Sequence, residues 1–212
     1  DLLMKQTTGR FPPGARWAYS NSGYVVLGLV VEKAAGRPFG DFLRERIFMP
    51  LGMSGTVAHE RGKNDVLNRA FGHARDGGAW VEKDQSPTSA TLGDGGVYSS
   101  IADLLKWDEA LRRHALLSEA DMKPALTPVR VRGAAPEGPD GSPADYGFGW
   151  FLNPWRGRAR MWHYGETSGF RTAVHRFVDE GLSIVVLCNR DDLDASALAL
   201  ETAGIFLEGV RP

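Results

Sequence analysis

The feature that most constrains the fold is a change in the spacing of apolar residues near residue 146. Before it, apolar side chains recur every three or four residues, as on one face of a helix. Val25, Leu29 and Val30 follow this spacing, and Gly36 followed by Pro38 is typical of a helix end. The first two thirds of the chain are therefore predicted to be mainly helical.

Four helices are predicted in this part. They span Ser22–Ala35, Phe39–Phe48, a stretch from Ser100 to Leu111, and a short segment from Ser118 that Pro124 closes. Ser100 and Asp103 form a capping box at the start of the third helix. Residues 54–95 contain only short strand-like pieces, and the glycine and proline content of residues 133–147 predicts an exposed loop.

The last third of the chain carries short apolar runs separated by turn residues. The runs predict four strands, at Tyr146–Leu152, Arg158–Tyr164, Arg171–Val178 and Leu182–Cys188, joined by turns at Asn153–Gly157, Gly165–Gly169 and Asp179–Gly181. Such short turns join neighbouring antiparallel strands. A final helix, Asp194–Leu207, is expected to cover the sheet. The predicted class is α+β, with a helical region at residues 1–145 and an antiparallel sheet region at residues 146–212.

The charge balance and the spacing of histidines argue against several classes of partner and cofactor. Lys and Arg number 25 against 26 Asp and Glu, so we expect neither nucleic acid nor an anionic membrane as a partner. The longest apolar run, Val25–Val31, is too short to span a bilayer. His59, His73 and His114 have unrelated spacings, so no metal site and no cofactor are predicted. Cys188 is expected to be a buried thiol. A lone cysteine makes no disulfide within the chain and so does not indicate a redox compartment. The location is therefore left open between periplasmic, secreted and cytoplasmic.

An ordered series of short motifs runs along the whole chain. In order, they are Phe11–Gly14, Trp17–Tyr24 with Tyr19-x-Asn21, Pro50–Met53, Gly95-Gly96, Tyr146–Trp150, Trp162–Glu166, Gly169-Phe170 and Leu187–Asn189. The series resembles the superfamily of serine β-lactamases and penicillin-binding proteins, in particular class C β-lactamases and the related esterases and D-peptidases. The resemblance implies a β-lactamase/transpeptidase-like fold whose two regions form one interdependent catalytic domain.

The resemblance implies catalytic roles for three residues. Tyr19 would be the general base and acid for a serine nucleophile, provided that a nearby cation lowers its pKa from about 10. His163, in the His-x-Gly position, would orient substrate and act as the electrostatic partner of Tyr19. The backbone N–H of Glu166 would be one of two oxyanion-hole donors. An ordinary half-buried strand histidine is the structural alternative for His163.

Three more residues are expected to bind substrate. Asn21 can hydrogen-bond a substrate amide through both ends of its side chain. Gly165 would let a substrate approach the strand edge without a Cβ clash, and Gly96 would line the cleft. The alternatives are structural: Tyr19 packs against the helix while Asn21 caps it, and Gly95-Gly96 forms a simple turn.

The nucleophile motif of the superfamily, Ser-x-x-Lys, is absent from this sequence, because none of the six lysines has a serine three residues before it. Three explanations are open: the motif lies upstream of Asp1 in a longer protein, a separate chain completes the site, or the chain is a non-catalytic binding protein on the same scaffold. The first two predict the C-terminal portion of a serine hydrolase that forms an acyl-serine intermediate, inactive by itself. The implied substrates are esters, β-lactams or short peptides with D-residues, and the His-x-Gly form favours an esterase or peptidase.

The strand Leu182–Cys188 is expected to need a partner on its outer edge. In the superfamily, two strands from the N-terminal part of the chain lie beside the last strand, and this sequence does not contain them. An unpaired edge as apolar as Ile184–Leu187 readily pairs with other chains. The predicted partner is the N-terminal part of a longer protein, another chain, a swapped copy, or a segment of this chain assigned elsewhere.

Overall fold

The computed structural model describes residues 3–86, 88–89, 91–133, 136–139 and 141–208. Its helices are α1 (Asn21–Ala35), α2 (Phe39–Leu43), α3 (Ile101–Arg112), α4 (Glu119–Met122) and α5 (Ala195–Glu208). Its strands are β1 (Val57–Ala58), β2 (His73–Asp76), β3 (Ala79–Glu82), β4 (Val97–Tyr98), β5 (Met161–Thr167), β6 (Phe170–Phe177) and β7 (Leu182–Cys188). Short 3-10 or π-helical turns follow α2 and α4 and lie near the N-terminus.

The predicted helices are confirmed, and their ends have the expected caps. Ser20 precedes α1, and its Oγ accepts a hydrogen bond from the Gly23 N–H at 3.0 Å. Gly36 ends the same helix in the left-handed conformation, with φ of 65°. At α3 the Ser100 side chain accepts from the Asp103 N–H at 3.2 Å. These helix ends are encoded within a few residues, so the sequence located them well.

A three-stranded antiparallel sheet, in the order β5-β6-β7, forms the core of the second region. Helix α5 packs on it through Ala195, Ala199 and Ala203, whose small side chains are buried and let the helix lie close to the strands. The α+β architecture predicted from the sequence is therefore confirmed. The division into two regions of one catalytic domain remains a prediction.

The predicted strand at Tyr146–Leu152 is wrong. The segment instead makes a tight turn, in which the Gly147 N–H donates to the Trp150 carbonyl at 2.8 Å and Gly149 has a φ of 77°. Gly149 allows this turn, and a Cβ on Gly147 would lie 2.1 Å from the Ala125 carbonyl oxygen. Among the backbone groups of this segment, those of Phe151 bond to the sheet, through a pair of 2.9 Å bonds with Trp162. The apolar residues that suggested a strand here pack against the sheet instead, as Tyr146 and Phe151 do in one cluster with Trp162.

The next strand lies further along the chain than predicted. Strand β5 starts at Met161 and continues to Thr167, so the predicted turn at Gly165–Gly169 is shortened to Ser168 and Gly169. Gly165, which suggested a turn, lies inside the strand opposite Thr172. This difference matters for the site, because it places the whole of residues 163–166 in a regular strand.

Strand β7 is an edge strand in the structure. It pairs with β6 on one side, and no other strand of the described chain pairs with its outer edge. The possibility that a misassigned segment of this chain covers it is therefore wrong for the described residues, while the other partners remain predictions. Because of this edge position, Cys188 is only partly buried, which corrects the prediction of a buried thiol.

Asp108 of α3 links the helical region to the sheet. Its carboxylate accepts hydrogen bonds from Arg176 Nε at 2.5 Å, from Ser183 Oγ at 2.6 Å and from Arg112 Nη2 at 3.2 Å. Asp108 and Arg176 are both buried. Burial by itself would raise the pKa of Asp108, but the bonds from Ser183 and Arg176 outweigh it and hold that pKa below its usual value.

Candidate active site

The start of α1 positions the Tyr-x-Asn segment. Because Ser20 is the N-cap, Tyr19 lies just before the helix and Asn21 is its first residue. The alternative in which Asn21 caps the helix is therefore wrong. The Asn21 side chain is exposed and makes no hydrogen bond to any described residue. It is thus available to bind another molecule, and its substrate-binding role remains a prediction.

Strand β5 presents a free edge towards this segment. The Trp162 N–H and carbonyl both bond to Phe151, on the side away from β6. Backbone groups in an antiparallel strand alternate sides with a period of two residues, so the N–H groups of Tyr164 and Glu166 point the same way. No described residue accepts a hydrogen bond from the Glu166 N–H. This is the geometry that an oxyanion-hole donor on the strand edge requires.

Tyr19 and His163 face each other between the helix start and the strand. Their ring centroids are 5.9 Å apart, although the two residues are far apart in sequence. Tyr19 is 44% exposed, so its ring is accessible from the cleft as well as in contact with the strand. The structure thus brings together the two side chains that the sequence put forward as the catalytic pair.

The hydrogen bonds of His163 involve both ring nitrogens. Nδ1 lies 2.7 Å from the Tyr164 carbonyl oxygen, and Nε2 lies 3.3 Å from the Tyr146 hydroxyl. Tyr24 of α1 lies close to the Tyr146 hydroxyl and contributes to the raised pKa of Tyr146. The hydroxyl of Tyr146 therefore lies between the Tyr24 side chain of α1 and His163 of strand β5.

The electrostatics of the pair differ from the expectation. Burial raises the pKa of Tyr19 above its usual value, and Tyr164, Tyr24 and Asp94 raise it further. Burial lowers the pKa of His163 more than its bond to the Tyr164 carbonyl raises it, so the ring is neutral at pH 7. The lowered pKa of His163 argues against it as the cation that lowers the pKa of Tyr19, and its role as a partner that orients substrate remains a prediction. With the groups of this chain alone, the raised pKa keeps Tyr19 in the form of a protonated phenol.

The segment Thr91–Gly96 forms one wall of the cleft. Gly93, with a φ of 104°, lies so close to α1 that a Cβ there would be 2.5 Å from the Tyr24 carbonyl oxygen. Just before this segment, Ser89 Oγ lies 3.3 Å from Thr167 Oγ1 at the end of β5. The wall therefore spans from the helix start to the strand, and it carries Asp94.

Both glycines proposed to contact substrate also have structural reasons to be glycine. Gly96 has a φ of 75°, and a Cβ there would lie 3.0 Å from the Thr91 carbonyl oxygen, as expected for a tight turn. A Cβ on Gly165 would lie 2.5 Å from Thr172 Oγ1 across the strand pair. The turn interpretation of Gly95-Gly96 is supported, and substrate contact by Gly96 and Gly165 remains a prediction.

A cavity of about 330 Å³ lies beside Tyr19 and is open to solvent. It is lined by Trp17, Ala18, Tyr19, Ser20, Gly23, Tyr24, Leu27 and Tyr146.

The residues around the site include three to which the sequence assigned no role, namely Tyr24, Tyr146 and Asp94. Tyr24 could have been found, because it lies one helical turn after Ser20. Tyr146 and Asp94 carry no sequence signal that connects them to Tyr19.

These features define an α+β fold with a tyrosine just before a helix and a histidine on a strand with a free edge. The family model described as Beta-lactamase matches residues 3–205, and the chain therefore belongs to the Beta-lactamase family. This confirms the resemblance stated above.

Particular relatives sharpen that placement. The chain is 32% identical to penicillin-binding protein 4* of Bacillus subtilis (strain 168) over 206 residues, covering 91% of this chain and 44% of that protein. It is 28% identical to a D-aminopeptidase of Cereibacter sphaeroides, covering 100% of this chain and 40% of that protein. The chain thus spans less than half the length of these two relatives.

Solved structures agree on the fold. An octameric penicillin-binding protein homologue from Pyrococcus abyssi superposes with a TM-score of 0.77 at 25% identity, covering 92% of this chain and 44% of that one. A D-stereospecific amidohydrolase from Streptomyces sp. gives a TM-score of 0.75 at 25% identity, covering 91% and 56%. The β-lactamase-like fold of the described residues is established by these similarities.

Proposed function

We propose that this chain supplies the acid–base, substrate-orienting and oxyanion-hole part of a serine hydrolase that works through an acyl-serine intermediate. The observation that carries the proposal is the 5.9 Å approach of the Tyr19 and His163 rings beside the free strand edge with the Glu166 N–H. Tyr19 would exchange protons with the serine and the leaving group, and Glu166 N–H would stabilise the developing oxyanion.

The nucleophile must come from polypeptide outside this sequence. A serine alone would not complete the site, because the pKa of Tyr19 is raised and no group that shifts it is a cation. The lysine of a Ser-x-x-Lys motif lies one helical turn from the serine and would bring the missing positive charge with it. A segment that carries this motif would thus provide the nucleophile and, through its lysine, lower the pKa of Tyr19 so that it can act as a base.

Two exposed surfaces support a further segment or a second chain. One is the outer edge of β7, and the other is the apolar face of α1, where Val26, Leu27, Leu29 and Val30 are each about half exposed. We propose that the N-terminal part of a longer protein, or another chain, covers both. If so, sedimentation velocity of this chain alone will show concentration-dependent self-association, which a complete protein lacks. A chain that stays monomeric at high concentration would argue against an unsatisfied surface.

The substrate class is a small ester, β-lactam or peptide with D-residues. The names of two relatives, a D-aminopeptidase and a D-stereospecific amidohydrolase, favour amides of D-amino acids among these. A non-catalytic binding protein on the same scaffold is the alternative, and the absence of Ser-x-x-Lys from this sequence is the observation that favours it. A Ser-x-x-Lys in the upstream reading frame would exclude that alternative.

Activity measurements test the proposal directly. We expect this chain alone to hydrolyse neither p-nitrophenyl acetate nor nitrocefin above background, because no nucleophile is present. Turnover that Tyr19→Phe abolishes, with labelling by a serine-directed phosphonate, would show that another serine has been recruited.

In the product of a reading frame that includes Ser-x-x-Lys, Tyr19→Phe is expected to lower kcat by about 10²–10⁴-fold. Tyr98→Phe is the matched control, since Tyr98 bonds to Arg69 and Gln85 at another site. Equal activity of the two variants would exclude Tyr19 as the proton-transfer group.

The oxyanion role can be tested at Glu166 in the same protein. Proline at this position removes the N–H without removing a bond to β6, because that N–H faces the free edge. Glu166→Pro is expected to lower kcat by roughly 10²–10³-fold. Glu166→Ala keeps the backbone N–H and removes the carboxylate, so it measures the contribution of the side chain alone. If the two substitutions give the same loss, the N–H is not the donor.

A further inference from the structure

The two hydrogen bonds of His163 fix which ring nitrogen carries the proton. Nδ1 lies 2.7 Å from the Tyr164 carbonyl oxygen, and a carbonyl only accepts hydrogen bonds. Nδ1 must therefore be the protonated nitrogen. In a neutral imidazole the other nitrogen then has a lone pair and no proton. Nε2 of His163 is consequently an acceptor.

The Tyr146 hydroxyl occupies that acceptor. It lies 3.3 Å from Nε2 and donates its proton there. Tyr24 of α1 lies close enough to contribute to the raised pKa of Tyr146. The hydrogen bond between the two side chains thus has one direction, from the Tyr146 hydroxyl to His163.

We propose that Tyr146 is a positioning residue that holds His163 in the Nδ1–H form and occupies its Nε2. His163 then offers a substrate neither a proton from Nε2 nor a positive charge. This inference deepens the proposed function and rests on it for its catalytic meaning. It assigns the site to substrates that carry an uncharged ester or amide beside the scissile bond, because nothing at His163 would hold a carboxylate there.

Among the residues that the structure describes, no carboxylate side chain contacts the His163 ring. The groups around the His163 ring are Tyr19 from the segment before α1, Tyr164 of the same strand, Phe151 at 5.5 Å, and Val174 opposite on β6. None of these is a carboxylate that would stabilise a protonated ring. The Tyr146 hydroxyl itself stabilises the neutral form, because it donates to a lone pair that protonation removes.

Nitrogen NMR of the ¹⁵N-histidine-labelled chain tests the proposal without any catalytic activity. Long-range couplings from the two ring carbon-bound protons show which nitrogen is protonated, and His163→Gln identifies the signals of His163. We expect Nδ1–H in the parent chain. Tyr146→Phe, which keeps the ring, is expected to raise the titration midpoint of His163 by roughly 0.5–1 pH unit, the effect of one lost hydrogen bond.

Tyr164→Phe is the matched control. It also removes one hydroxyl from a ring stacked on His163, but the bond from Tyr164 comes from its main-chain carbonyl. Neither the tautomer nor the midpoint of His163 should change in this variant. An Nε2–H signal in the parent chain would overturn the proposal. So would equal midpoints in Tyr146→Phe and the parent chain, with the fold of the variant checked by circular dichroism.

A kinetic measurement on a complete, active protein tests the specificity. Tyr146→Phe frees Nε2 to bind a proton, so kcat/KM for peptides with a free carboxylate next to the scissile bond should rise relative to their amides, most at low pH. An unchanged ratio would overturn the specificity claim. An inactive complete protein with an Nδ1–H His163 would refute the proposed function and leave the positioning role intact, so the two failures are distinguishable.

Discussion

Helix α1 and strand β6 bury their side chains to very different degrees. Among the residues of α1, only Gly28 is buried, and Leu29 is 51% exposed. In β6, by contrast, Ala173, His175, Arg176 and Phe177 are all buried between α5, α3 and the neighbouring strands. The sheet region has a packed core beneath α5, whereas the apolar face of α1 and the outer edge of β7 stay exposed among the described residues. The candidate site lies on the border between the two.

This difference in burial indicates which residues contribute mainly to the stability of the chain and which belong mainly to the candidate site. The residues that hold β5 in place, such as Trp162 stacked between Phe151 and His175, are buried and mutually packed. Tyr19 and Asn21 lie at the start of the exposed helix. We therefore expect mutations in the sheet to act mainly on folding, and mutations near α1 to act mainly on the site.

Truncation of Phe177 should give the largest effect of all. Its side chain is fully buried in β6 against Trp155, and Phe177→Ala is expected to lower the free energy of unfolding by about 3–5 kcal/mol. Leu29→Ala in α1 should cost less than about 1 kcal/mol, because the side chain is half exposed. Phe148→Ala, at a 70% exposed position, controls for the residue type. Urea unfolding measures all three, and comparable losses for Phe177 and Leu29 would erase the contrast between the regions.

Asp108→Asn tests the link between the regions and should cost about 3 kcal/mol, since it leaves the buried Arg176 without its charged partner. Glu109→Gln, on the exposed neighbouring position of α3, should cost less than about 1 kcal/mol.

The pH dependence of stability has a definite sign at Asp108. Its pKa is lowered in the folded chain, so the carboxylate contributes stability above the unfolded pKa of about 3.9. That contribution is lost as the pH falls through the folded value. The Asp108→Asn variant should therefore lose less stability than the parent chain on acidification below about pH 4. Parallel stability curves for the two proteins across this range would contradict a salt-linked Asp108.

The smallest effect concerns the cap of α1. Ser20→Ala removes the acceptor for the Gly23 N–H and should cost about 1 kcal/mol. Ser22→Ala, two residues further along the same helix, should be neutral or slightly stabilising, because alanine is the better helix former. Thermal unfolding of the two variants distinguishes them. A loss at Ser22 as large as that at Ser20 would mean that helix capping does not fix the position of Tyr19.

Much of the fold could be predicted from the sequence. The helix that begins after Ser20 and ends at Gly36, and the strand from Leu182 to Cys188, agree with the structure within a residue. The strand predicted from Tyr146 was wrong, because a short apolar run looks the same in sequence whether it forms a strand or a turn packed on the sheet. In the site, Tyr19 and His163 were put forward by resemblance, and the structure brought their rings together.

The sequence by itself determined the helix ends, the bounds of the strand Leu182–Cys188 and the motif order, because each is encoded by a few adjacent residues. Only the tertiary structure decided that burial lowers the pKa of His163, that its Nε2 lies within hydrogen-bond distance of the Tyr146 hydroxyl, and that the pKa of Tyr19 is raised. These properties arise from burial and from hydrogen bonds between groups far apart in the chain. A proton's position depends on which atoms surround it in space, and that information appears only when α1, the turn after Tyr146 and strand β5 are packed together.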